Sequence, residues 1–388
     1  MRAAWLILVL GGSACGFSVN GGQSGDAGPI DTGSGSGSDD GGNNPTDGGP
    51  DAPLPDANPG ATCVGTYKVV CVVINPAPMD FNTAATIDTT PVTGSALCQS
   101  PMAGSTVGDV CVIAFQGLAL NNTLRVIGSR PLVLIGKTSL TINGSGVLDA
   151  SSKSEQPQER GPGGRSTCTV TTPPSGNSGG GPGGTYAAAG GFGGDGGGGS
   201  NGGLAGTMAA FGDLIGGCNG IDGSANTASD RGRGGTGGGA VLLYSENITI
   251  NGSINASGAR GTGGLKRAGG GGGGSGGTIV LDGPLTVNGS GRVWAQGAGG
   301  GEGGDNGTVR GAAGSNPTTS GTAAAGGSGG TTTGGNGGSG AIDTFGGAGD
   351  DVGDGGGGGG GGGGYIRYTA MTPTLGAAII HPAPVRIP

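Results

Sequence analysis

The chain has a single histidine, His381, among 388 residues. It lies in a proline-flanked tail with no nucleophile signature beside it, so triad chemistry and His-based acid–base chemistry have no foundation here. Aromatic residues make up only 3% of the chain, which leaves no platform of rings for stacking on sugars, and Trp294 stands alone in its segment. Charge is scarce too. Residues 61 to 388 hold 16 basic and 18 acidic groups, a near balance that excludes nucleic acid as a partner. No CxxC pair exists, so the cysteines do not read as a zinc site. The apolar run Ala3 to Leu10 is eight residues long, too short to span a bilayer.

What is abundant is glycine, 105 residues, with ten in a row from Gly355 to Gly364. Collagen is excluded because the tracts lack a strict triplet and abundant proline. Disorder throughout is a poor reading because the apolar residues are clustered and they repeat. Leu140-Thr141-Ile142-Asn143-Gly144-Ser145, Ile248-Thr249-Ile250-Asn251-Gly252-Ser253 and Leu285-Thr286-Val287-Asn288-Gly289-Ser290 are copies of one hexapeptide. Each follows a strand signal (Leu132 to Ile135, Ala240 to Tyr244, Thr278 to Leu281). Each precedes a third (Val147 to Ala150, Ile254 to Ser257, Val293 to Gln296). Asn-Gly between apolar runs often marks a hairpin, but three segments recurring in one order favour stacked parallel coils.

The expected fold is therefore all-β, a right-handed β-helix-like β-solenoid, with a β-sandwich as the alternative. Alternation turns Leu140, Ile142, Ile248, Ile250, Leu285 and Val287 inward. Residues 61–130 are expected to form the amino-terminal cap and first strands, and 131–388 the solenoid repeats. Glycine-rich insertions fall at about 151–239, 258–277 and 297–364. Those insertions are expected either to be flexible coil or to pack as polyglycine-II helices of three residues per turn. In the second case ten residues reach roughly 31 Å at about 3.1 Å each. His381-Pro382-Ala383-Pro384 is expected to stop the ladder.

Residues 1–15 read as a lipoprotein-type export signal, with Ser13 and Ala14 before a lipid-bearing Cys15 and Gly12 departing from the usual leucine. Cleavage after Ala14 without a lipid, giving a secreted protein, is the alternative. Residues 16–60 read as a disordered tether with seven aspartates and no Lys, Arg or Glu. Beyond Cys15, six cysteines remain: Cys63, Cys71, Cys98, Cys111, Cys168 and Cys218. An even number in an exported chain points to disulfides, and spacing favours joining them as three sequential pairs.

Several of these features together carry a resemblance. They are the Cys15-tethered layout, the Gly128-Ser129-Arg130-Pro131-Leu132-Val133-Leu134 stretch, the Ile254-Asn255-Ala256-Ser257-Gly258 type of segment, and polyglycine running into Tyr365-Ile366-Arg367. In these the chain resembles the uncharacterised glycine-rich lipoproteins of myxobacteria. The resemblance covers almost the whole chain and implies a cell-envelope location but no activity. In composition alone the polyglycine is similar to the glycine-rich domain of anaplastic lymphoma kinase-type receptors and to mycobacterial glycine-rich surface proteins. No kinase motif is present.

Gly136-Lys137-Thr138 ends like a phosphate-binding loop, but Pro131 replaces its first glycine and a strand follows. Asp195, Asp305 and Asp351 end segments that fit the first six places of the calcium-binding nonapeptide. They lack its apolar residue and tandem period, so chance matching is preferred. Asp149, Asp282 and Arg292 are scattered without paired carboxylates, which argues against a carbohydrate-active enzyme. No cofactor is expected. The reading is a surface- or envelope-anchored structural or adhesive lipoprotein, held at the outer membrane by its lipid, with envelope or extracellular components as partners. A glycan- or small-ligand-binding module is the alternative.

Overall fold

A computed structural model describes residues 60–388 except 92–94, 155–158, 166–167, 169–171 and 319–320. The export signal with Cys15, and the tether as far as residue 59, lie outside the described residues. Seventeen strands follow one another in the described part. The first six are β1 (Ala61–Val64), β2 (Val70–Val73), β3 (Met79–Phe81), β4 (Ala85–Asp88), β5 (Cys111–Leu120) and β6 (Thr123–Ile127). Then come β7 (Leu132–Ile142), β8 (Val147–Asp149), β9 (Ala240–Tyr244), β10 (Ile248–Ile250) and β11 (Ser253–Asn255). The last six are β12 (Thr278–Asp282), β13 (Leu285–Val287), β14 (Arg292–Trp294), β15 (Tyr365–Tyr368), β16 (Ile379–His381) and β17 (Val385–Arg386).

The hexapeptide copies sit side by side in parallel register, Thr141 beside Thr249 and Thr249 beside Thr286. Their apolar residues are buried in one core with Leu148, Ile254 and Val293. The polar half of the motif bonds each rung to a neighbour, the first copy to Asn121 of the preceding rung and the third copy to the second. Asn143 Nδ2 donates to Asn121 Oδ1 and Asn288 Nδ2 to Asn251 Oδ1. Ser145 Oγ reaches the Asn121 carbonyl at 2.7 Å and Ser290 Oγ the Asn251 carbonyl at 2.9 Å. At Gly252 a Cβ would lie 2.2 Å from the Asn143 and Gly146 carbonyl oxygens, so stacking itself excludes a side chain there. The Asn-Gly turn thus sends the chain into a second sheet and does not close a hairpin.

The expected closed β-solenoid is not what forms. The strands build mixed sheets: a nine-stranded sheet with the path β13-β10-β7-β9-β12-β15-β17, joined by β3 and β5, a six-stranded sheet in the order β16-β14-β11-β8-β6-β4, and an antiparallel β1–β2 pair. Closure fails for a physical reason. A third wall would have to come from 151–239, 258–277 and 297–364, and among the described residues these segments contain no strand. Glycine has no side chain to bury on an inner face, so these segments satisfy their backbones in another way.

That way is visible at Gly355–Gly364. Gly355, Gly358, Gly361 and Gly364 donate to Gly304, Gly301, Ala298 and Ala295 at 2.8–3.0 Å. Gly356, Gly359 and Gly362 donate to Ser178, Gly181 and Gly184 at 2.8–2.9 Å, and Gly357 and Gly360 to Asp350 and Gly347 at 3.1 and 2.8 Å. The carbonyls of the same run accept from Gly270, Gly273 and Gly276, from Gly191 and Gly194, and from Gly335, Gly338 and Ala341. Six segments therefore surround one, each addressed by every third residue, the period of an extended three-residue helix. Side chains have no room: a Cβ at Gly358 would lie 2.1 Å from the Gly271 carbonyl oxygen.

The β1–β2 pair covers a second apolar cluster on the outer face of the nine-stranded sheet, with Val64, Val70 and Val72 against Val133, Leu242 and Val280. Buried Asp282 fastens this cap, accepting from the Thr66 and Tyr67 amides at 2.7 and 3.0 Å and from Thr369 Oγ1 at 2.9 Å.

Candidate functional site

Parallel register turns sequence-distant residues into rows. Across the six-stranded sheet Thr86 stands beside Arg125, Arg125 beside Asp149, Asp149 beside Asn255, Asn255 beside Trp294, and Trp294 beside His381. The flanking residues Leu124, Leu148, Ala150, Ile254, Ala256, Val293 and Ala295 all belong to the core. Alternation therefore puts the whole row on the outer face. Two residues further on, Ser151, Ser257 and Gln296 share that face.

The row's charges are engaged with one another. Asp149 pairs with Arg125 Nη1 at 3.1 Å and Lys153 Nζ at 2.8 Å, and accepts from Ser151 Oγ at 2.6 Å. Burial alone would raise the Asp149 carboxyl, but Arg125, Lys153 and Ser151 outweigh it and hold the group below the usual carboxylate range. Burial pushes the Arg125 guanidinium down, against the opposing pull of Asp149. Beside Asp149 opens a cleft of about 220 Å³, lined by Ser151, Ser152, Lys153, Asn255, Ser257 and Asn316 among others. At the far end of the row His381 Nδ1 meets Asp343 Oδ1 at 2.9 Å. The sequence places His381 in a proline-flanked tail. It is instead the last residue of β16, half-buried, and the proline-rich segment after it ends the six-stranded sheet but not the nine-stranded one, where β17 adds beside β15.

A different surface lies on the glycine bundle. Phe192, Leu204 and Phe345 are 54%, 42% and 66% exposed and flank a groove of about 640 Å³ walled by Gly190, Gly191 and Gly346. No charged side chain lines it.

The remaining predicted residues are placed as follows. Disulfides join Cys63 to Cys71, Cys98 to Cys111 and Cys168 to Cys218. Asp351 Oδ1 accepts from the Asp195 amide at 2.7 Å, Asp195 Oδ1 from Gly202 at 2.7 Å, and Asp305 Oδ1 from Gly307 at 2.7 Å. These carboxylates accept backbone amides, within a turn at Asp305 and between separate segments at Asp351, and among the described residues no group of three His, Cys, Asp or Glu could hold a metal. Asp282 is a fastening for the cap, and Arg292 opens β14 beside Ser253. Sequence reasoning missed Arg125, Asn255 and Gln296. Aligning the third segments of the three repeats column by column would have found the last two. Among the described residues no helix is long and apolar enough to cross a membrane. Compared with protein-family models, curated proteins and solved structures, the chain matches none of them.

Proposed function

We propose that this protein is an envelope- or surface-anchored structural or adhesive lipoprotein without catalytic activity, held by a lipid on Cys15. The three disulfides are those of an exported protein, since such bonds persist in oxidising compartments. The observation that carries the reading is the Gly355–Gly364 run bonded on all sides to six other segments. Such an element offers a rigid, buried axis with no reactive side chain. The apolar groove between Phe192 and Phe345 supplies an adhesive patch on the outside of the bundle.

Fractionation of cells carrying the full chain and its Cys15→Ser variant tests the anchor. The full chain is expected with membranes and accessible to protease on intact cells, and the variant in the soluble exported fraction. A full chain that protease cannot reach, or a variant that stays with the membranes, refutes the anchored-surface reading. Loss of cell-to-cell cohesion in a Phe192→Ser/Phe345→Ser double variant tests the patch, and unchanged cohesion removes it.

A further inference from the structure

Two extended segments of the bundle, 189–195 and 345–351, run side by side, Gly346 donating to Ala189 at 3.0 Å and Gly349 to Phe192 at 2.9 Å. With three residues per turn, each segment carries three rows of amides. In the first, Gly191 and Gly194 donate to Gly360 and Gly357 of the central run at 2.7 and 2.8 Å. Gly190 and Gly193 donate to Thr185 Oγ1 and the Gly203 carbonyl, both at 2.9 Å. In the second, Gly346 and Gly349 bond the first segment, while Gly347 and Asp350 donate to Ser339 and Asn336 at 2.7 and 2.9 Å. One row of each segment is left over, Ala189 with Phe192 and Phe345 with Ala348. Among the described residues none of these four amides has a hydrogen-bond partner. All four residues line the apolar groove.

We propose that this groove binds a proline-rich segment of a partner protein, held as a polyproline II helix. Chemistry narrows the ligand in three steps. The unpartnered amides recur every third residue, about 9 Å apart at about 3.1 Å each, which is the repeat of a polyproline II helix, so its carbonyls meet them in step. The four free groups are donors, and proline brings a carbonyl acceptor without an amide of its own. Phe192, Leu204 and Phe345 stand exposed along the groove and no charged side chain lines it, so the ligand must be apolar and must have rings or side chains to set against them. Proline meets that demand and glycine does not. Proline-rich segments also pay little entropy on binding, because they are extended beforehand, and aromatic-lined grooves are where they dock. The volume of about 640 Å³ is that of a short peptide site. The assignment rests on the adhesive reading of this groove, gives it a ligand class, and does not depend on the lipid.

Deca-proline and a glycine–serine peptide of equal length are titrated into the full chain by calorimetry, and amide exchange is read residue by residue with and without deca-proline. Deca-proline is expected to bind saturably with a dissociation constant on the order of 1 mM or tighter. Exchange should slow at Phe192 and Ala348, while Gly191 and Gly194, bonded already, keep their rates. Both phenylalanine rings are exposed, so a Phe192→Ser/Phe345→Ser chain keeps its core, and it should bind deca-proline at least about tenfold more weakly. The glycine–serine peptide should be weaker by a similar factor. No saturable binding of deca-proline overturns the proposal, and so does binding that the double substitution leaves unchanged or that leaves Phe192 and Ala348 exchanging as before. Equal binding of the glycine–serine peptide overturns it too, because the groove would then read extended backbone alone. Loss of cohesion in the double variant without any binding of deca-proline removes this ligand and leaves the adhesive reading standing.

Discussion

The strand-built rungs and the glycine bundle belong to one chain and are held together in opposite ways. In the rungs the side chains do the work: Ile142, Ile250 and Val287 stack in a dry core and the backbone ladder follows. In the bundle there are no side chains to bury, and the backbone bonds in six directions. Each hydrogen bond contributes only about 0.5–1.5 kcal/mol net, while glycine loses more conformational freedom on folding than any other residue. A bundle held by backbone bonds alone is therefore close to balance and depends on fastenings at its edges. Glu302 is one such fastening, a buried carboxylate that accepts from the Ala312, Gly330 and Thr331 amides at 2.7, 2.8 and 3.0 Å. The Cys168–Cys218 bond is another.

The largest expected effect comes from removing that covalent fastening. Its cysteines are 50 residues apart, which in the chain-entropy model corresponds to about 4 kcal/mol. A Cys168→Ser/Cys218→Ser chain should lose amide protection throughout the bundle while β7, β10 and β13 keep theirs. Hydrogen exchange read peptide by peptide checks this. Equal loss in both regions would show that bundle and rungs unfold as one unit.

Ile250→Ala probes the other region and should cost about 3 kcal/mol, since it empties a central place in the core. The expected pattern is reversed: the rungs lose stability in denaturant titration and the bundle amides follow only at global unfolding.

The two regions also differ in how far they could be read beforehand. The hexapeptide showed its strands, its inward residues and its Asn-Gly turn because each role needs a different side chain. The disulfide partners were consecutive cysteines along the chain. The row from Arg125 through Asp149, Asn255 and Trp294 to His381 was hidden because it exists only once register joins five strands. Failure of the solenoid to close was hidden for a related reason. Gly358 and Gly359 are identical as letters, yet one donates to Gly301 and the other to Gly181. The letters of the run carry no difference from which those partners could be told apart, since neither glycine has a side chain.

A pair of alanine substitutions within the ten-glycine run sharpens the comparison most finely. At Gly358 the new Cβ would meet the Gly271 carbonyl oxygen at 2.1 Å, and at Gly363 the nearest atom is 3.8 Å away. Gly358→Ala should cost about 2 kcal/mol, because one of six packed neighbours must move and its bonds stretch. Gly363→Ala should change stability by less than about 0.5 kcal/mol, since lost backbone freedom in the unfolded chain offsets any crowding. Melting temperatures of the two variants decide the matter. Equal tolerance would mean that the run is not enclosed by close-packed backbones, and equal damage would mean that glycine is required there for flexibility instead of for space.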